Sequence, residues 1–318
     1  MNLQEAKTKF IELLDNVDPT KKSAFLRYVT TFSDVKRSKL AIDAEEKLQR
    51  ISDSLREQLP TSAILDSENV LYPQVGFDSE HNSQNTVNVD CFLYDDDAVE
   101  DLISHGKMSR NYCLDCGSKN TKPLLFISHS LSVPQIEFIF TKLIPLDKDS
   151  LPTDFHVLDI GSRIGSVVFG AALFSNGRAK VTGVEMNEKW CAIQEKVINT
   201  NEYFISNVSI VCSDIRTRLD LLASANIIVM NNVFSFFLSV EEQENCWQVL
   251  HSFIKEDTLI VHNPSIHEVT AHLNLTFKID DWLQEEDIVT KCADFAGVDE
   301  ELFEDCSSLH LYRVKASK

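Results

Sequence analysis

HVLDIGSRIG, residues His156 to Gly165, decides the fold. An apolar strand that ends in an acid and opens onto a glycine turn brings backbone N–H groups around a nucleotide-like ligand. Glu185 stands twenty residues past Gly165 and ends a second apolar run, KVTGVE. A carboxylate at that distance reaches two ribose hydroxyls, so strand, turn and acid together predict a nucleotide or nucleoside site. Arg163 sits where many such loops have glycine. A bulky residue there argues against cradling a pyrophosphate and for a looser turn around a ligand without phosphates.

Downstream of the turn, helical and strand-like runs alternate. SVVFGAALFS and EKWCAIQEKVINTN read as helices and NVSIVCSD as a strand; NIIVMNNVF reads as a strand, EEQENCWQVLHSFI as a helix, and TLIVHNP and SLHLYRVK as further strands. This order predicts an α/β fold: a doubly wound, mostly parallel, Rossmann-like sheet with the ligand at the carboxyl edge of its strands. Upstream, SVPQIEFIFTKLIP predicts an amphipathic helix with proline in its first turn. Residues 1–60 contain no strand-like run, and their apolar spacing, with a break at Asp18-Pro19, predicts a helical N-terminal module whose third helix runs from Ala41 to Leu59. The expected division is 1–60 helical, 61–130 a mixed middle module with a Cys-x-x-Cys turn, and 131–318 the sheet domain.

The chain has 318 residues, 43% of them hydrophobic and 25% charged, the composition of an ordinary globular protein. No secretory leader is evident in MNLQEAKTKF, and no apolar run approaches the roughly 18 residues of a membrane span. A location in the cytoplasm, the nucleus or both is expected, with no membrane association. Most of the eight cysteines lie within apolar-periodic segments and are read as reduced, buried thiols. Of 30 basic and 49 acidic side chains, residues 1–58 hold 11 and 10, so the net charge of −19 resides in the rest of the chain. Such acidity counts against tight nucleic-acid binding and favours basic partners, or serves solubility alone. The N-terminal helices are read as packing elements or as a surface for a protein partner.

Three more features fall at strand ends. Asp214 closes the run VCSD, where a carboxylate accepts from an exocyclic amine; Asn231-Asn232-Val233-Phe234 closes the next, placing amides and an aromatic ring at the mouth. With HVLDIGSRIG and KVTGVE, these resemble the class I S-adenosylmethionine-dependent methyltransferases, over about residues 131–265. GVE and MNNVFSF resemble the non-SET histone-lysine methyltransferases of the disruptor-of-telomeric-silencing family. NNVFSFFLSVEEQENCWQVLHSFIKEDTLIV resembles equally the broad type 11 methyltransferase group, although Lys255-Glu256-Asp257 replaces that group's frequent Pro-Gly-Gly.

The resemblance implies S-adenosyl-L-methionine as cofactor. Asp159 would hold the glycine turn and the ligand's amino group, and Gly161 and Gly165 would line its methionine and ribose portions. Glu185 would bind the ribose hydroxyls, while Asp214 meets the adenine amine with Met186 or Ile215 against the ring. Asn231, Asn232 and Phe234 would face the transferred methyl group and act as the catalytic residues, with His129 and Asp95, Asp96 and Asp97 as candidate bases. The acceptor is a basic protein side chain, such as a histone lysine, or a small molecule. Arg163 motivates a reading from another class: a catalytically inactive sensor or scaffold that binds the cofactor. Separately, Cys113-x-x-Cys116-Gly117 has the form of half a zinc knuckle, with His105, His129 and Cys91 as candidate further ligands to a structural zinc; two ordinary turn cysteines and a redox dithiol are the alternatives.

Overall fold

The computed structural model describes residues 3–22, 25, 26, 29, 38–114, 121–147, 151–204 and 207–316. Helix α1 (Leu3–Asn16) precedes α2 (Lys39–Arg56); between them the described residues Phe25, Leu26 and Val29 are helical. The Ser38 side chain accepts from the Ala41 N–H and starts α2, which buries Ala41, Ala44, Leu48, Ile51 and Leu55. That stripe has the spacing of one helix face, and it packs into the same core as Val168 and Phe169 of the sheet domain.

Residues 57–72 cross the molecule without helix or strand. The middle module follows, with β1 (Thr86–Asn88) paired parallel to β4 (Leu125–Ile127), helix α3 (Asp96–Ser104), and the antiparallel pair β2 (Asn111–Cys113) and β3 (Thr121–Pro123). Helix α2 holds this module by its polar side chains. Ser52 Oγ donates to the Phe92 carbonyl at 2.7 Å and Arg56 Nε to the Leu93 carbonyl at 2.7 Å. Buried Asp90 accepts from the N–H groups of Phe92 and Leu93 and from Ser130 Oγ.

The predicted helix after Ser132 is present but not amphipathic. A capping box joining Ser132 and Gln135 opens α4 (Val133–Phe138), and a wider turn continues it to Leu143. Ile136, Phe138, Ile139 and Phe140 are all fully buried, because α4 is enclosed by neighbouring helices instead of lying at a surface.

The sheet has seven strands in the order β10-β11-β9-β8-β5-β6-β7. They are β5 (His156–Ile160), β6 (Lys180–Glu185), β7 (Val208–Cys212), β8 (Ile227–Asn231), β9 (Leu259–Asn263), β10 (Leu283–Glu286) and β11 (His310–Val314). Strands β7, β6, β5, β8 and β9 are parallel, and β11 lies antiparallel between β9 and β10. The crossovers are α5 (Ser166–Phe174), α6 (Glu188–Thr200), α7 (Leu219–Ser224) and α8 (Val240–Phe253); the C-terminal helices are α9 (Ile266–Thr270), α10 (Ile279–Trp282), α11 (Val289–Ala296) and α12 (Glu300–Ser307).

Side-chain alternation divides the core between the two sheet faces. Val157, Val181, Ile227 and Val261 join α2, α4 and α5, whereas Leu158, Val184, Ile228 and Ile260 join α7 and α8. All five residues of β5 and all nine of α5 are buried, as expected where helices cover both faces of a parallel sheet. The strand order reverses between β5 and β8, which leaves a crevice at their carboxyl ends. Among the described residues no helix is long and apolar enough to cross a membrane.

Candidate functional site

The glycine turn after β5 lies at that crevice. Gly161 and Ser162 donate to the Val184 carbonyl at 2.8 and 3.1 Å, pinning the turn to the end of β6. Gly161 has φ +73°, and a Cβ there would lie 2.0 Å from Val233 Cγ2, so glycine is demanded both by backbone conformation and by the residue above it. Gly165, at φ +89°, is the cap residue of α5. Arg163 also has a positive φ, 39°, and its N–H donates to Glu185 Oε2 at 2.9 Å. The Asn187 N–H donates to Glu185 Oε1 at 2.7 Å, so two backbone donors bracket this carboxylate.

Arg163 does not loosen the turn. Its side chain, 6% exposed, runs toward the segment before the middle module. There Nη2 donates to the Ala63 carbonyl at 2.8 Å and pairs with Glu68 Oε1 at 2.9 Å, while Nε donates to the same oxygen at 3.0 Å. The guanidinium also lies 5.3 Å from the Trp190 ring centre and 5.4 Å from that of Phe237.

A cavity of about 320 Å³ opens beside the turn. Gly161, Glu185, Met186, Asp214 and Ile215 line it, as do Asn231 and Phe234; Asp159, Gly165 and Asn232 lie outside its wall. Met186 is 57% exposed, whereas Ile215 and Phe234 are buried, the latter edge-on against Trp247. The polar groups on the β7–β8 side have partners within the protein. Asp214 accepts from Arg216 Nε at 2.8 Å and pairs with Arg216 Nη2 at 2.5 Å. Burial raises the Asp214 pKa, but hydrogen bonds and charge from Arg216 outweigh it and hold the carboxyl below its ordinary value. Asn231 Oδ1 accepts from Asn263 Nδ2 at 3.0 Å, and Asn232, at φ 43°, turns its amide to donate to Asp78 Oδ2 at 2.9 Å.

The β5–β6 side differs. Burial, and secondarily the nearby charge of Glu185, push the Asp159 carboxyl up to about 8. Burial also raises Glu185, against the lowering effect of the Asn187 and Arg163 N–H groups and the Arg163 charge. His129, from the middle module, completes the wall; its Nε2 is 3.1 Å from Asn88 Oδ1, and its ring packs edge-on to Phe236 and Phe237. Burial lowers its pKa to about 3, so the ring is neutral. Asp95 caps α3 by accepting from Ala98, and neither it nor Asp96 or Asp97 lines the cavity.

Sequence reasoning missed Ser67, Glu68 and Asn69, which close one side of the cavity, and Phe237 and Leu238, which supply apolar wall. The loop residues carry no motif. The available signal was Arg163 itself, since a cation in an apolar turn requires an acid elsewhere in the chain.

Cys113 is exposed, and Cys116 lies outside the described residues. Cys91 Sγ donates to the Ser130 carbonyl at 2.9 Å, and His105 Nδ1 is 2.7 Å from the Asp101 carbonyl. Among the described residues no group of three or more His, Cys, Asp or Glu side chains is placed to hold a metal ion.

Residues 152–301 match the family model of a methyltransferase domain, a range that holds every parallel strand of the sheet but not residues 67–69 or His129. Among curated proteins none matches the sequence. Solved structures similar to the chain include precorrin-6y C5,15-methyltransferase from Geobacter metallireducens, at 18% identity and TM-score 0.31, covering 41% of this chain and 65% of that one. PKMT2 from Rickettsia typhi in complex with AdoHcy is 20% identical with TM-score 0.32, covering 42% of this chain and 25% of that one. TrmN from Thermus thermophilus is 12% identical with TM-score 0.36, covering 49% and 43%. The chain thus spans less than two thirds of each of these structures.

Proposed function

We propose that the methyltransferase-type domain binds S-adenosylmethionine in the crevice between β5 and β8 and transfers its methyl group to a nucleophile arriving at the β8 end. The observation that carries this reading is Glu185, a buried carboxylate at the end of β6, oriented by two backbone N–H groups and facing a cavity of nucleoside size. A carboxylate with both oxygens already oriented retains lone pairs for the two hydroxyls of a ribose. Asp159 lies behind the cavity wall, beneath the glycine turn, and a buried carboxyl with a raised pKa would favour a cationic amine on the ligand by charge and not by direct contact.

When bound, S-adenosylmethionine supplies a methyl group on a positively charged sulfur. The protein supplies position and a dry site. Met186 and Ile215 flank the base, and Asp214, held by Arg216, offers its remaining lone pairs to an exocyclic amine. Asn231 presents its amide at the mouth and orients an incoming amine, which must be neutral to react; Phe234 keeps water out. The acidity of the chain beyond its first 58 residues favours a basic protein side chain as acceptor over a small molecule.

Calorimetry with S-adenosylmethionine and S-adenosylhomocysteine tests the reading. Folded protein that yields no heat of binding with either removes it. A second reading, a sensor that binds without turnover, is favoured by the amides of Asn231 and Asn232, both engaged by protein partners. Binding that Glu185→Ala abolishes, with no methyl transfer to histones, basic peptides or metabolite pools, selects the sensor.

A further inference from the structure

We infer that Arg163 and Glu68 are positioning residues that clamp residues 63–71 as a strap over the cofactor cavity, so that ligand affinity depends on the strap being docked. The inference rests on the proposed S-adenosylmethionine site. The strap is fastened to three of the loops that surround the cavity, those after β5, β6 and β8. At the glycine turn, Arg163 holds both the Ala63 carbonyl and the Glu68 carboxylate. At the loop after β6, Ser67 Oγ lies 3.1 Å from Asn187 Oδ1 and accepts from Asn187 Nδ2 at 2.9 Å. At the loop after β8, the Leu71 N–H donates to the Phe236 carbonyl at 2.7 Å. Glu68 also fixes the shape of the strap, since its Oε2 accepts the Leu65 N–H at 2.8 Å.

The anchor is a buried one. The side chains of Arg163 and Glu68 are only 7% and 6% exposed, and Arg163 Nη1 is buried without a hydrogen-bond partner among the described residues. Losing Glu68 removes the carboxylate that hydrogen-bonds the guanidinium and leaves only the more distant charges of Glu185 and Asp90, a costly arrangement for a buried cation. Arg163 also joins the strap to the ligand's own acceptor: its side chain grips Glu68 while its N–H holds Glu185. Ser67, Glu68 and Asn69 line the cavity yet lie outside the matched methyltransferase range, so part of the binding wall comes from the chain's N-terminal segment.

The test compares full-length wild type with Glu68→Gln, Arg163→Met and the conservative Arg163→Lys, each confirmed folded by circular dichroism. Two readouts are used: S-adenosylhomocysteine affinity by calorimetry, and chymotrypsin cleavage at Leu65, Leu71 or Tyr72. Glu68→Gln and Arg163→Met should weaken binding about tenfold or more and accelerate cleavage within the strap, with Arg163→Lys intermediate. In wild type, S-adenosylhomocysteine should slow both strap cleavage and amide exchange over residues 65–71, with no change over α3. That comparison needs no variant to fold. Unchanged affinity and cleavage in the variants, or ligand binding to wild type without protection of 65–71, overturns the clamp. Should wild type bind no ligand, the cavity reading fails and the clamp is judged by cleavage alone: faster cutting in Glu68→Gln sustains the fastening, and equal cutting overturns it.

Discussion

The two halves of the sheet's carboxyl edge treat their polar groups in opposite ways. On the β5–β6 side, Asp159 and Glu185 are buried carboxyls whose pKa values are both raised by burial, and among the described residues no side-chain cation is hydrogen-bonded to either. On the β7–β8 side, Asp214, Asn231 and Asn232 are occupied by Arg216, Asn263 and Asp78. A site that leaves acids short of donors is built for a ligand that brings them. One whose polar groups are already paired is built to hold its own shape.

The sharpest way to break this contrast is through Asp159. Its folded value of about 8 lies above its ordinary 3.8, so between these values the folded protein keeps a proton that the unfolded chain has released. Stability therefore falls as pH rises from about 4 to about 8, and the penalty is full above that window. Asp159→Asn should remove this slope and leave the variant more stable than wild type at pH 8, as read from urea unfolding across the range. Parallel curves for the two proteins would show that Asp159 ionises normally and that the β5–β6 side is not starved of partners.

Glu185→Ala should have the next largest effect. Two ribose hydroxyls donating to one carboxylate account for about 3 kcal/mol, or roughly a hundredfold in S-adenosylhomocysteine affinity by calorimetry. A loss of less than about threefold would place the ribose elsewhere.

Asn232→Ala acts on the other side and through stability. It removes the amide that Asp78, 6% exposed, accepts from, and puts alanine at a φ of 43°. The expected cost is about 1–3 kcal/mol in urea unfolding, with ligand affinity nearly unchanged in the folded protein. A selective loss of affinity at constant stability would move Asn232 into the ligand's contacts.

Sequence legibility followed the same division. The strands, the glycine turn and Glu185 could be read because each depends on neighbours in the chain: alternating apolar residues, a turn that needs positive φ, and an acid one strand later. Antiparallel β10 was missed because LQEE has no apolar alternation and earns its place by pairing with β11. The partners of Asp214, Asn232 and Arg163 differ in the same way. Arg216 is two residues from Asp214 and could have been suspected, whereas Asp78 and Glu68 lie 154 and 95 residues from the groups they bind. Arg163 looked like damage to a ligand loop because a sequence displays the residue that is out of place without the distant acid that explains it.

The smallest effect should come from Asp214→Asn, and its smallness is the point. The carboxylate receives the Arg216 N–H at 2.8 Å, closing a short helical turn, and its side chain is 22% exposed, so its ion pair is screened by solvent and worth at most about 1 kcal/mol. Its pKa is held below 3.8, so that contribution is present above this value and is lost as pH falls through the lower, folded one. Asparagine keeps an acceptor for the N–H and for an adenine amine while giving up only the charge. S-adenosylhomocysteine affinity should therefore change by less than about threefold, and Tm by only a few degrees. A loss as large as that of Glu185→Ala would mean that the ligand takes Asp214 from Arg216 on binding, and the two halves of the edge would then differ only while the cavity is empty.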